Sequence, residues 1–376
     1  MRVNIFRIIF LILIFFTLFS VYGCIFNKPI LTEFQTIDLE CGFDKIFIGY
    51  YSGALYISYI DSINNEIKFA KSTDNGYSWL TMAIDKCMVM FYVVSLYNLD
   101  FELYEGHIYL LYFDSNIEKL KIAKSVDGGL SWSIKILDQF EYSGKIMYGS
   151  MKVVGNTIYI SCSNSKNPDL IFLKSEDGGE NWVETVIDSE GYVGEYNSMA
   201  VDGNNIYISY YDSSNSNLKL AKSNDSGETW SIDTIDNEGD VGRTTSIIAD
   251  KSYIFIIYYD FSNGLIKLAK STNYGESWSI KQICDGEHHF SFVKNGGNIY
   301  MSYVAENSED CSNDLKLAKS KDLGNSWYFD SIASTGDIGE YSSIVVNGTY
   351  IYIAYFDSSN EDLKFVKSDN GGISWR

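Results

Sequence analysis

Residues 218–236 read LKLAKSNDSGETWSIDTID, and seven versions of this segment run through the chain. Its core, S-x-D-x-G-x-x-W, starts at Ser72, Ser125, Ser175, Ser223, Ser271, Ser320 and Ser368, at intervals of 53, 50, 48, 48, 49 and 48 residues. All seven tryptophans close one of these cores. A fixed period of this length is the signature of a repeat architecture, in which each unit buries its apolar face against its neighbours. Within the fourth unit, segments 196–202, 205–211, 217–223 and 230–236 alternate apolar and polar residues and are separated by Gly, Asn, Asp and Ser clusters. That pattern predicts four short antiparallel strands, A to D. Four strands in 40 to 50 residues make one propeller blade.

The chain ends one residue after the seventh core, at Arg376, which leaves the last unit without a D strand. The stretch FQTID at 34–38 resembles IDTID at 232–236, the D strand of the fourth unit, and precedes the first A strand at the proper distance. The fold class expected is therefore all-β: a seven-bladed β-propeller of four-stranded antiparallel blades, spanning 33–376, with an N-terminal strand completing the last blade. Such closure removes a free sheet edge. Composition agrees, with 30 Tyr and 22 Phe against two Pro, since aromatic residues favour strands and proline disrupts them.

The core motif has the residues a sharp chain reversal needs. Its glycine can adopt positive φ, and its Asp is expected to accept backbone N–H groups two residues on. Its tryptophan offers a large ring to bury between blades. The third position holds Asp74, Asp127, Asp177, Asp225 and Asp322, but Asn273 and Asn370 in two units. Asn keeps the acceptor oxygen and loses the charge, so the position reads as structural. The same holds for Trp79, Trp132, Trp182, Trp230, Trp278, Trp327 and Trp375. These units resemble Asp-box, or BNR, repeats, and the chain is similar to the sialidase-like β-propellers over 33–376. The resemblance implies the fold strongly and the activity weakly, because that family includes both enzymes and binding proteins.

A sialidase-type site, as the resemblance would imply it, needs three arginines around a substrate carboxylate, because guanidinium forks bind carboxylate in a bidentate manner. The chain has only Arg2, Arg7, Arg243 and Arg376, of which Arg243 alone lies within the blades. No such triad can be assembled. The ligand-face candidates are the starts of the A strands, where D-to-A and B-to-C connections meet at the channel mouth: Tyr148, Glu195, Tyr196, Arg243, His288, Glu340 and Tyr341. Glu195 and Glu340 occupy similar contexts, VGEYNSM and IGEYSSI. They are the carboxylates a glycoside hydrolase would use, but blades three apart are expected to hold them too widely separated. Asp61, Asp114, Asp212, Asp260 and Asp357 end B strands, where capping of the following turn is the better expectation than Ca²⁺ binding. His288 and His289 are adjacent and, on a strand, would point to opposite faces. No metal site and no cofactor is expected.

The formal net charge of −20 argues against nucleic acid and anionic membrane surfaces, which need a basic partner. Residues 1–23 have the layout of an export signal, with Arg2 and Arg7 before the apolar stretch 8–19. Cys24 then stands at a lipoprotein-type processing position, with 24–32 as a tether. An uncleaved anchor is the other arrangement that fits, because the apolar character continues through Phe26 to nearly a membrane span. Either places the propeller on the outer face of a membrane. Cys41 with Cys87, and Cys284 with Cys311, fall in connections on one face and make disulfides feasible, leaving Cys162 as a buried thiol. The sequence thus predicts a monomeric, surface-anchored module binding a glycan, peptide or protein, with a glycoside hydrolase as the alternative and a purely structural envelope protein as a third possibility.

Overall fold

In a computed structural model of the protein, the described residues are 34–39, 41, 45–86, 99–137, 146–164, 168–306 and 312–376. Residues 1–33, with the expected signal and Cys24, lie outside them. The described residues form seven four-stranded antiparallel sheets and no helix, hence no helix long and apolar enough to cross a membrane. Each A strand touches the A strand of the next blade, and that of blade 7 (Ile338–Asn347) touches that of blade 1 (Ile46–Tyr51), which closes the ring. In blade 7 the outermost strand is Gln35–Asp38, paired antiparallel with Asp362–Ser368.

Burial follows strand position. B strands such as Asn205–Asp212 are buried almost throughout, C strands such as Asn217–Ser223 alternate, and D strands such as Ser231–Asp236 lie mostly open to solvent. Around the channel the A strands are stitched by side chains. Ser150, Ser198, Ser291 and Ser343 each accept a hydrogen bond from the backbone N–H of the next blade's A strand, at 3.2–3.4 Å, and Asp100 accepts one from Met151 at 2.6 Å.

The repeated turn works differently from the two-residue acceptor expected. In blade 2 the Ser125 hydroxyl donates to Asp127 and accepts the N–H of Gly129, each at 2.8 Å. Asp127 Oδ1 accepts the N–H groups of Leu130 and Ser131, three and four residues on, both at 3.0 Å. Gly128 and Gly129 both have positive φ, and this curls the chain around the carboxylate. In the fifth unit Asn273 Oδ1 accepts from Ser277 N–H, while its Nδ2 donates to the Ser277 hydroxyl. A hydroxyl both donates and accepts, so replacing Asp by Asn reverses one hydrogen bond and leaves the turn intact.

The turn also docks each blade onto the one before. Trp79, Trp132 and Trp230 meet Phe365, Phe69 and Phe172 of the preceding blade edge to face, with centroids 5.0–5.1 Å apart. A Cβ on Gly227 would lie 2.5 Å from the Phe172 ring. This glycine is needed for close approach as well as for its φ of 92°.

A second contact ties blades together near their other end. The carboxylate ending one D strand accepts a tyrosine hydroxyl from the B strand and a lysine ammonium from the C strand of the next blade. Asp188 takes Tyr210 and Lys219, both at 2.6 Å, and Asp85 takes Tyr112 and Lys121, both at 2.8 Å. Asp236 serves Tyr258 and Lys267 likewise. Asp38, on the N-terminal strand, takes Tyr59 at 2.7 Å and Lys68 at 2.9 Å, which joins blade 7 to blade 1.

The aspartates at the B-strand ends cap their turns. Asp61, Asp212, Asp260 and Asp357 each accept the N–H three residues on, from Asn64, Asn215, Asn263 and Asn360, and Asp114 accepts that of Asn116. Cys41, Cys162 and Cys284 are free thiols, and Cys87 and Cys311 lie outside the described residues. Cys284 sits within a D strand, Ser279–Asp285, rather than in a connection, and Tyr303 hydrogen-bonds it where other blades offer Asp.

Candidate functional site at the channel mouth

The A strands of blades 3, 4, 5 and 7 start with an irregularity that the sequence did not announce. Their pairing with the B strand slips between Met147 and Ser150, Glu195 and Ser198, Arg243 and Ser246, and Glu340 and Ser343. Inside each slip one residue takes the left-handed conformation: Tyr148, Tyr196, Thr244 and Tyr341, with φ of 50–56°. A bulge of this kind re-aims a side chain at the rim of a sheet, and bulky or β-branched residues adopt it only at a cost of about 1–2 kcal/mol each. The surroundings hold them there. Asn197 donates its side-chain amide to the carbonyls of Tyr148 and Gly194, and the Thr245 hydroxyl donates to the Tyr196 carbonyl at 3.1 Å. Just before each charged residue, Gly242 and its counterparts lie against the preceding blade, where a Cβ on Gly242 would be 2.7 Å from Leu218 Cα.

The result is a run of rings across five blades, bridged between Tyr211 and Phe261 by the Arg243 guanidinium. Tyr148 and Tyr196 lie 4.5 Å apart between centroids, and Tyr196 meets Tyr211 edge on at 6.3 Å. The Arg243 guanidinium lies 5.5 Å from the Tyr211 ring and 4.1 Å from that of Phe261. Phe261 touches Tyr259, Tyr259 lies 6.0 Å from His288, and His289 lies tilted 4.1 Å from His288 and edge on 4.6 Å from Tyr341. A cavity of about 240 Å³, whose lining includes Asp100, Thr244, His288, His289 and Tyr341, opens at this mouth.

Here the expectation for the histidines is corrected. Both precede the A strand of blade 6, which begins at Phe290, so strand alternation does not apply and their rings face each other. Burial lowers the His288 pKa and pushes that of His289 down to about 3, with His288 adding to the effect. No cluster of metal-ligating side chains occurs among the described residues.

Arg243 is committed to Asp240 through both Nε and Nη2, at 3.2 and 2.7 Å. Glu195 has no hydrogen-bond donor or ion-pair partner within contact distance among the described residues; burial raises its pKa, and Arg243 partly offsets this. Glu340 accepts the Ser358 hydroxyl at 3.2 Å, and burial, with Asp337 and Glu287 nearby, raises its pKa as well. Neither glutamate contributes to the other's shift. They do not form the coupled carboxylate pair that would push their titrations apart.

Of the seven residues expected at the ligand face, His288 and Tyr341 line this cavity; Tyr148, Tyr196 and Arg243 lie along the run of ring contacts, and Glu195 and Glu340 directly precede Tyr196 and Tyr341. Sequence reasoning missed Tyr211, Tyr259, Phe261 and Asp240. Strand alternation held the signal for the first two: Tyr211 and Tyr259 each follow the buried staple tyrosine and so turn to the opposite face.

Two larger grooves, about 430 and 370 Å³, lie beside the repeated turns near Trp182 and Trp230. Their charged groups satisfy one another, Lys174 with Glu176 and Glu228, and Lys222 with Glu276.

No protein-family model and no curated protein matches the sequence. Solved structures do. An ulvan lyase, a polysaccharide lyase bound to a GlcA(1-4)Rha3S saccharide, superposes with a TM-score of 0.62 at 13% identity, over 89% of this chain and 96% of that one. The NanB sialidase of Streptococcus pneumoniae gives 0.51 at 14%, over 91% and 71%. The Aleuria aurantia lectin, in complex with α-methyl-L-fucoside, gives 0.52 at 13%, over 80% and 98%. At these identities the likeness is one of fold, and the chain has the sialidase-like propeller fold.

Proposed function

We propose that this protein is an exported, N-terminally anchored β-propeller that binds a glycan at the mouth of its central channel, and that its seven repeated turns are Asp boxes with a purely structural task. The observation that carries the reading is the run of rings from Tyr148 to Tyr341, in which Phe261 is exposed and Tyr196, His288, His289 and Tyr341 are half-buried, while Tyr148, Tyr211 and Tyr259 back them from the core. Aromatic faces give large, rigid contact area at low entropic cost, and polar groups set among them orient a ligand. The left-handed backbone of three of these rings, Tyr148, Tyr196 and Tyr341, within strand bulges supports it, because strain persists where function or packing demands it. The propellers of similar fold that were solved with saccharides agree with a glycan ligand. The separate settings of Glu195 and Glu340, and the engagement of Arg243 by Asp240, favour binding over hydrolysis.

The test is a glycan array probed with the purified protein, alongside turnover of fluorogenic glycosides. The expected result is binding to one glycan class, weakened about tenfold by Tyr196→Ala, as the loss of one stacked aromatic contact would produce. Absence of binding to any glycan would overturn the reading, and turnover abolished by Glu195→Gln or Glu340→Gln would make the protein an enzyme. For the anchor, mass spectrometry of the mature N-terminus is expected to find an acylated Cys24.

A further inference from the structure

Blades 4, 5 and 7 put the same frame to different use. After Gly194, Gly242 and Gly339, at one repeat position, stand Glu195, Arg243 and Glu340. In blade 5 the chain provides its own cation. The Arg243 guanidinium lies between the faces of Phe261 and Tyr211, at 4.1 and 5.5 Å, with the Asp240 carboxylate 2.7 Å away. Two rings and a carboxylate are a known way to hold a cation out of bulk water. Blades 4 and 7 keep rings and a carboxylate without an internal cation. Glu195 stands beside Tyr148 and Tyr196, whose rings are tilted at 46° with centroids 4.5 Å apart, and has no donor in contact among the described residues. Glu340 adjoins Tyr341, which meets His289 edge on at 4.6 Å, and among the described residues receives the Ser358 hydroxyl alone.

Building on the glycan-binding reading, we infer that the glycan taken here is an amino glycan whose protonated amine seats between Glu195 and the Tyr196 ring, which the buried Tyr148 backs, with Glu340, Tyr341 and His289 forming a second corner of the same kind. Arg243, itself paired with Asp240, offsets the burial of Glu195 only in part, and an ammonium from the ligand would offset the rest while meeting an aromatic face. An anionic glycan would meet Glu195, Asp240, Glu287, Asp337 and Glu340, with Arg243 already paired. A neutral or N-acetylated sugar could stack on the rings but would leave both glutamates uncompensated.

The experiment is calorimetry on the full chain in detergent with two probes, a β-1,4-linked glucosamine pentamer and its fully N-acetylated counterpart, at low and high salt. The glucosamine pentamer is expected to bind at least tenfold more tightly, to weaken as salt rises, and to lose about tenfold with Glu195→Gln and less with Glu340→Gln, in line with a partly desolvated cation–π and ion-pair contact. Glu195→Gln should melt at the wild-type temperature, because no hydrogen bond within the fold depends on that carboxylate. Equal affinity for the two pentamers, or no response to either substitution, would overturn the inference, and binding of neutral or acidic glycans on the array would then leave the glycan reading standing. Binding of oligolysine with no glycan bound would overturn both.

Discussion

The two ends of a blade obey different rules. At the repeated-turn end, seven copies place Ser, Asp or Asn, Gly and Trp in one register, and their hydrogen bonds recur at nearly the same lengths from Ser72 to Ser374. At the mouth end, one repeat position holds Met147, Glu195, Arg243, His288 and Glu340 in five successive blades, and the next holds Tyr148, Tyr196, Thr244, His289 and Tyr341. Repetition marks what every blade needs to dock on its neighbour. Departure from repetition, on a backbone that in blades 3, 4, 5 and 7 keeps the same strained bulge, marks where the chain is free to specialise.

That contrast can be broken by measurement. The largest effect is expected at Asp188, whose buried carboxylate holds Tyr210 and Lys219 of the next blade. Asp188→Ala would leave a buried ammonium poorly compensated and should cost about 3–5 kcal/mol in chemical denaturation. Glu195→Ala, in the same blade interface region but without a contact partner, should stay within about 0.5 kcal/mol. Equal costs would erase the distinction between the scaffold and the mouth.

Next in size, Gly227→Ala combines left-handed strain with overlap against Phe172 and should cost about 2–4 kcal/mol. Gly203→Ala, at a φ of 61° but with open space around it, should cost only about 1 kcal/mol. Comparing the two melts separates close approach from backbone conformation.

Acid should separate the ends in a third way. Asp74, Asp225 and Asp322 are held at about 2 by hydrogen bonds from the hydroxyls and N–H groups of Ser78, Thr229 and Ser326. A depressed carboxylate stabilises the fold above its unfolded value near 4, and that stabilisation disappears as pH falls through about 2. Thermal melts from pH 6 to 2 should therefore decline between about pH 4 and 2, less steeply in Asp225→Asn, as the natural Asn273 and Asn370 turns imply. At the mouth the sign is opposite. Burial raises Glu195 and Glu340 above the ordinary 4.5, so affinity for an amino glycan should fall with acidification at a pH higher than 4.5, well before the turns respond.

The smallest effect is expected to be a gain. Thr244 is β-branched at a φ of 50°, and Thr244→Gly should stabilise the fold by about 1 kcal/mol.

The blade count and the outer strand 35–38 were legible because a periodic pattern repeated seven times leaves little freedom in assigning strands. The mouth was legible in part. Strand order identified Tyr148, Glu195, Arg243 and Glu340 as starts of A strands, but nothing in VGEYNSM distinguishes a tyrosine in a bulge at positive φ from one in a regular strand. The histidine geometry was misread for a related reason, since a short irregular stretch precedes Phe290 where alternation was assumed. Tyr211 and Phe261 were overlooked because attention fell on the buried Tyr210 and the capping Asp260 beside them. The sandwich around Arg243 arises only when blades 4 and 5 meet.

The four-residue strand Gln35–Asp38 has a mechanical meaning. It is the part of the propeller nearest to the proposed anchor, so any pull on the preceding chain is delivered first to its pairing with the last C strand and to the Asp38 contacts with Tyr59 and Lys68. Those contacts lie in blade 1 and the paired strand in blade 7. Load passed along the preceding chain is thus shared at once between the first and last blades, and the seam of the ring doubles as its strain relief.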